Sequence, residues 1–223
     1  MTMLFVTGSG TDVGKTFVTA LLLEQLAHAG RTACALKPIA SGFEEGRAHE
    51  SDAARLLRAQ GIEPTAAAIA AVSPWRFAAP LSPDMAAARE CRAIDFTLLL
   101  DFCREPRPVE LTVIEGVGGV MVPIDRERTV LDWIVALGAP VLLVAGSYLG
   151  TLSHTLSAAG MLRARGVTIA AIVLNESAIQ PVPAEETAEV LARFADNVPI
   201  RIVRRRAAGA PPPRQPDLLA LIP

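Results

Sequence analysis

Apolar positions along the chain fall into short runs broken by glycine, proline and charge, and between the runs they recur at helical spacing. Met3-Leu4-Phe5-Val6, Thr32-Ala33-Cys34-Ala35-Leu36, Val109 to Ile114, Ala139 to Ala145 and Thr168 to Leu174 are rich in apolar residues and read as buried strands, the second a continuous run typical of a parallel sheet. The pattern predicts a helix opening near Gly14 and closed by Gly30, one starting at Ser51-Asp52 with either residue as cap, and a short one from Asp95 through Cys103. Further helices are predicted over Thr129 to Leu137 with Gly138 as stop, Thr151 to Arg165 with Gly166 as stop, and Pro183 through Phe194, followed by a last strand over Pro199 to Val203. Strand and helix in alternation predict an α/β fold, a mostly parallel sheet with helices on both faces, built as a single domain over 1–223. Three stretches read as irregular: the polar loop from Gly42 to His49, the proline-punctuated 61–94 wrapped round the sheet, and a solvated tail with Arg204-Arg205-Arg206 and Pro211-Pro212-Pro213.

Composition narrows the class. The hydrophobic fraction is 51%, yet no window approaches the roughly 18 apolar residues of a membrane span. Met1 to Val6 lacks a basic n-region and runs straight into a glycine loop, so it reads as the first strand of a cytoplasmic protein. Cys34, Cys91 and Cys103 are odd in number and scattered, which suggests neither disulfides nor a zinc site but buried thiols. His28, His49 and His154 are isolated, and His28 suits the end of the first helix. A formal net charge of −2 leaves no footprint for nucleic acid or an anionic membrane, so small-molecule chemistry is expected.

The chemistry concentrates where predicted strands end. Gly8-Ser9-Gly10-Thr11-Asp12-Val13-Gly14-Lys15-Thr16 joins the first strand to the first helix, the order a phosphate cradle needs. The usual spacing asks for glycine at position 9, and here Gly8 comes one residue early. Lys15 can reach the β- and γ-phosphates of a nucleotide, and the Thr16 hydroxyl can hold Mg²⁺. Lys37 follows the second strand and leads into Pro38-Ile39-Ala40-Ser41-Gly42, which reads as a shaped loop at the ligand-binding edge of an open sheet. Asp52 is either a helix cap or a Mg²⁺ ligand. Glu115 ends a buried strand ahead of Gly116-Val117-Gly118-Gly119, the form of a second metal-holding motif. Asn175 ends another strand, where its amide could cap a turn or read an adenine edge.

Taken together, Gly8 to Thr16, Lys37 to Gly42, Ser51-Asp52, Glu115 to Gly119 and Asn175 resemble the dethiobiotin synthetase family, P-loop enzymes whose glycine loop carries this same extra residue. The similarity extends to Ser73 through Ala87, with Asp84 where the family usually has His; after residue 195 the family's Gly-x-Ile-Pro turn is not found. The resemblance implies a homodimeric ligase using ATP, Mg²⁺, CO₂ and 7,8-diaminononanoate. It places Thr16, Asp52 and Glu115 at the metal, and Asp12, Val13, Gly14, Lys15, Thr16, Phe17, Asp52, Glu115, Gly116, Val117, Gly118, Asn175 and Glu176 along the nucleotide. Lys37, Thr11 and Ser41 would serve the carbamate beside Lys15, and Gly150, Thr151 and Ser153 would bring a helix N-terminus to the substrate carboxylate from the partner subunit. A partitioning-type ATPase would want a second lysine where Gly10 stands, a GTPase would want Asn-Lys-x-Asp in place of Asn175-Glu176-Ser177, and a cobyrinate-type amidating ligase needs a glutaminase domain for which the chain has no room.

Overall fold

The computed structural model describes residues 2–206, 209 and 211–222. In chain order the regular elements begin with β1 (Thr2–Gly8), α1 (Lys15–His28), β2 (Ala33–Leu36), β3 (Ile39–Ser41), α2 (Asp52–Ala59), α3 (Ala66–Val72), β4 (Trp75–Phe77), α4 (Pro83–Arg89) and α5 (Phe96–Arg104). They continue with β5 (Leu111–Glu115), α6 (Val130–Leu137), β6 (Val141–Gly146), α7 (Thr151–Ala164), β7 (Ile169–Asn175), α8 (Ala184–Phe194) and β8 (Ile200–Val203). Six strands form one parallel sheet in the order β2-β5-β1-β6-β7-β8, as the alternating pattern predicts.

Each apolar run feeds two cores because successive side chains leave a strand on opposite faces. Phe5, Leu143 and Leu174 point into a core shared with α5, α6, α7 and α8, where Phe5 meets Trp133 edge-on at 4.9 Å. Leu4, Val6, Leu142 and Val173 point into the other, with Val18, Leu22 and Leu26 of α1. Burial on both sides explains why these strands carry no polar alternation. β2 departs from the expectation: it is an edge strand paired with β5 alone, and Ala33 and Cys34 are only half-buried.

Three segments differ from the sequence-based expectation. Residues 61–94 are not mere connection: they hold α3, β4 and α4, and β4 pairs in parallel with β3 in a second, two-stranded sheet. The prolines sit where such short elements tolerate them, Pro83 opening α4. Ser41 therefore lies in a strand rather than a loop, and Glu45–Glu50 forms a 3-10 turn. The tail is also not a solvated loop throughout. Leu218 and Leu221 are buried against α1, and the Gln25 side chain donates to the carbonyl of Pro216 at 2.8 Å and accepts from the backbone of Leu218 at 2.9 Å. Of the three cysteines only Cys103 is buried; Cys34 is half-buried and Cys91 exposed. Among the described residues no helix is long and apolar enough to cross a membrane.

Removing the Gln25 clamp strands two backbone groups beside an apolar core, so Gln25→Ala is expected to lower stability by about 1–3 kcal/mol; an unchanged urea midpoint would show that the tail contributes nothing. Burial pushes the Cys103 thiol up from 9.0 to about 12. The folded state then keeps a proton that the unfolded chain releases, so this contribution is intact below pH 9 and erodes as pH rises toward 12, at about 1.4 kcal/mol per pH unit. Denaturation of the parent and of Cys103→Ala across pH 9 to 11 should show the steeper alkaline loss in the parent only.

Candidate functional site

The carboxyl ends of β1, β5 and β7 converge because β1 lies at the centre of the sheet, between β5 and β6, where the strand order reverses. The loop after β1 is shaped by two left-handed residues, Asp12 (φ 57°) and Gly14 (φ 89°). At Gly14 a Cβ would lie 2.1 Å from the side-chain nitrogen of Asn175, so only glycine fits. That nitrogen donates to the carbonyl of Val13 at 3.1 Å and pins the end of β7 to the loop. No side chain caps the first turn of α1, which leaves its N–H groups and the positive end of its dipole to an anion.

Thr11, Asp12, Gly14, Lys15, Thr16 and Phe17 line one side of a cleft of about 900 Å³, and Lys37, Ser41, Asp52, Val117 and Gly118 are among the residues that line the rest. Within it, Lys37 is only 4% exposed. Its ammonium donates to Glu115 Oε1 at 2.8 Å and to the carbonyl of Gly116 at 2.8 Å, with Asp52 Oδ2 at 3.7 Å. The Thr16 hydroxyl donates to the same Glu115 oxygen at 2.7 Å. Burial pulls the Lys37 ammonium toward neutrality, but the charges and hydrogen bonds of Glu115 and Asp52 more than reverse this and hold its pKa above the ordinary value. Lys37 is therefore a buried partner within the cleft and does not extend to solvent.

Lys15 donates to the carbonyl of Gly10 at 3.0 Å. Its pKa is lowered to about 8, first by burial and then by the charge of Lys37, with Glu115, Asp52 and Asp12 acting the other way. The sequence holds only two lysines, and both are here. Every other basic side chain apart from the histidines is arginine, which suits surface pairing but not the compact point charge a phosphoryl group meets.

The alternatives for Asp52 separate in the structure. Ser51 is the cap of α2, accepting from the backbone of Ala54 at 3.2 Å, and Asp52 is left to face Lys37. Glu115 is fully buried and its Oε2 has no hydrogen-bond partner among the described residues. A buried carboxylate oxygen beside a hydroxyl and a second carboxylate is the hard-oxygen chemistry Mg²⁺ takes, so these residues fit that ion. The Ser41 hydroxyl is also buried without a hydrogen-bond partner among the described residues.

Other expected residues lie further out. Val13 is buried in the core, and only its carbonyl takes part. Gly116 offers a carbonyl to Lys37, and a Cβ there would meet Phe5 at 2.8 Å. Both Glu176 oxygens are committed, one to Arg204 at 3.0 Å and one to the backbone of Arg205 at 2.8 Å. Gly150, Thr151 and Ser153 start α7 away from the cleft wall; Thr151 turns its hydroxyl inward to the carbonyl of Gly146, while Ser153 is exposed. Sequence reasoning missed the wall formed by Pro80 to Pro83, although Ser82-Pro83 is a helix-start signal. It also missed Arg204, which pairs with Glu176 and Glu185 and has no spacing signal in the sequence.

A second cavity of about 490 Å³ lies at the opposite end of the sheet, and its one charged lining residue, Arg165, is paired with Asp132. The candidate chemistry therefore belongs to the first cleft.

Residues 2–205 match the sequence model of a family described as an AAA domain. The chain is 48% identical over 202 residues to the ATP-dependent dethiobiotin synthetase BioD of Acidiphilium cryptum, covering 89% of this chain and 91% of that protein. The chain belongs to the dethiobiotin synthetase family. Another member, from Phenylobacterium zucineum, is 44% identical and covers 94% of this chain and 92% of its own length. Beyond the family, the fold is shared with MinD in the MinC:MinD cell division complex of Aquifex aeolicus (TM-score 0.54, 13% identity, 92% of this chain and 82% of that one). It is shared as well with the septum site-determining protein MinD of Pyrococcus horikoshii in complex with Mg-ADP (TM-score 0.51, 15% identity, 91% and 80%). These likenesses establish the P-loop fold, and the family relatives establish an ATP-dependent ligase.

Gly14→Ala would force a side chain into the left-handed region and against Asn175. It is expected to cost about 1–3 kcal/mol of stability and to weaken nucleotide binding more than tenfold, read by thermal unfolding and calorimetry. Parent-like values for both would mean the loop tolerates a different backbone.

Proposed function

We propose that the cleft closes a cyclic urea on 7,8-diaminononanoate, using CO₂ and ATP and releasing dethiobiotin, ADP and phosphate. One amine loses a proton and takes up CO₂ as a carbamate. A carbamate oxygen attacks the γ-phosphorus and ADP leaves. The second amine then attacks the carbamoyl carbon, loses its proton, and expels phosphate as the ring closes. The observation that carries this reading is the buried cluster of Lys37, Glu115, Thr16 and Asp52 facing the glycine loop, in a chain so similar to enzymes named for this reaction.

The residues divide the work. Lys15 and the first turn of α1 receive the phosphates. Thr16, Glu115 and Asp52 would hold Mg²⁺, which when bound offsets charge on the transferring phosphoryl group. Lys37, Thr11 and the unpartnered Ser41 hydroxyl supply cation and donors for the carbamate. Asn175 has its nitrogen committed to Val13, and its carbonyl oxygen is the half that can accept from an adenine amino group. Asp12, Val13, Gly14, Phe17, Gly116, Val117, Gly118 and Glu176 complete the nucleotide side as contacts or supports. Gly150, Thr151 and Ser153 of the partner subunit of a cytoplasmic homodimer would bring the uncapped start of α7 to the substrate carboxylate. A partitioning switch finds support only in the shared fold, and Gly10 stands where its second lysine would be.

The test is ATP-dependent incorporation of labelled bicarbonate into a cyclic urea, with diamine present and absent. Nucleotide hydrolysis that ignores the diamine would remove the ligase reading. Lys37→Ala should leave ATP affinity largely intact and cut turnover by roughly 10²–10³, about 3–4 kcal/mol of lost stabilisation of developing negative charge. Near-normal turnover would take Lys37 out of the chemistry, and a proportional loss of ATP affinity would move it to the nucleotide site.

A further inference from the structure

Lys37 pairs with both carboxylates read as metal ligands. Its ammonium shares Glu115 Oε1 with the Thr16 hydroxyl and stands 3.7 Å from Asp52 Oδ2. The two carboxylates thus face one internal cation, and Thr16 joins them through Glu115. Mg²⁺ draws its oxygen ligands to about 2.0–2.1 Å and leaves little tolerance for a neighbouring ammonium on the same carboxylate. The four-carbon stem of lysine gives its charge the reach to move without the backbone moving.

We propose that Lys37 and Mg²⁺ compete for the carboxylates of Glu115 and Asp52, so that loading of the metal transfers the ammonium from the metal side of the cleft to the substrate side. The destination is already polar: the Ser41 hydroxyl lines the same cleft, is buried, and has no hydrogen-bond partner among the described residues. Glu115 Oε2, equally buried and unpartnered, gives the incoming ion an oxygen that Lys37 does not use. The exchange conserves positive charge beside Glu115, which is 0% exposed and would be costly to leave alone. Lys37 thereby becomes a placeholder that keeps the ligand set assembled and a reporter that turns to the carbamate only when the metal has arrived. This rests on the metal assignment made for the proposed reaction, and it couples nucleotide loading to completion of the carbamate pocket.

The presence of only two lysines makes the exchange directly readable. Binding of Mn²⁺ alone, followed by electron paramagnetic resonance, should be at least tenfold tighter in Lys37→Met than in the parent, because the internal competitor is gone. A folded variant that binds Mn²⁺ no tighter than the parent would overturn the proposal. Should the variant not fold, the parent decides it. A brief acetic anhydride pulse read by peptide mass spectrometry should acetylate Lys37 several-fold faster with Mg²⁺ and a non-hydrolysable ATP analogue than with the same analogue and EDTA. Equal or slower labelling in the presence of Mg²⁺ would overturn the exchange. Cyclic urea formation by the parent separates the two ideas: product formed while Lys37 stays unreactive removes the exchange alone, and a metal-dependent change in Lys37 without product removes the reaction and leaves the exchange.

Discussion

The salt bridge between Lys37 and Glu115 is the constraint round which the cleft is arranged. Both side chains are almost fully buried, and removing one partner of such a pair typically costs about 3–5 kcal/mol because the other is left charged in a poor solvent. Each must therefore be placed by something rigid. Glu115 ends β5, a strand buried at every position, and Lys37 leaves β2 one residue before Pro38 fixes the backbone. β2 and β5 are hydrogen-bonded neighbours, with Leu36 opposite Ile114, so the register of the sheet sets the two charges side by side. An apolar swap of similar shape could be as stable, and the burial of charge here is better understood as chemistry than as cohesion.

The rest of the site inherits its precision from the same sheet. β1 pairs with both β5 and β6, and the glycine loop that follows β1 opens beside Glu115 for that reason. The hydrogen bond from the Asn175 side chain to the carbonyl of Val13 extends the arrangement to β7. The small sheet of β3 and β4, together with α2, holds Ser41 and Asp52 opposite the loop; Ile39 and Phe77 root it in the main core beside Phe5, while Phe43 and α2 pack against α3 in a smaller cluster. The cleft thus has its floor on the large sheet and one side on the small sheet, and the two share a core through Ile39, Phe77 and Phe5.

Much of this was legible in the sequence. Continuous apolar runs marked the buried strands, glycine stops marked helix ends, and the glycine loop followed by Lys15-Thr16 announced itself between a strand and a helix. What sequence could not decide were pairings across long separation. Whether Asp52 capped a helix or faced the cleft depended on Ser51 taking the cap, a matter of one rotamer. The parallel pairing of Ile39 with Trp75 lies between two very short strands whose local patterns carry too few positions to show periodicity. The docking of the tail rests on Gln25, an unremarkable residue on a helix, meeting backbone groups of Pro216 and Leu218.

The near-absence of lysine has a consequence outside the reaction. A typical protein surface offers many primary amines to metabolic acyl donors, and most acquire such adducts harmlessly. Here the only side-chain amines are the two that line the cleft, both shielded by burial, while arginine carries the positive charge of the surface. Chance acylation of side-chain amines thus has no innocuous target on this protein. Any side-chain amide adduct found on it would mark a molecule whose phosphate cradle had been breached, so its acylation state and its competence would be one measurement.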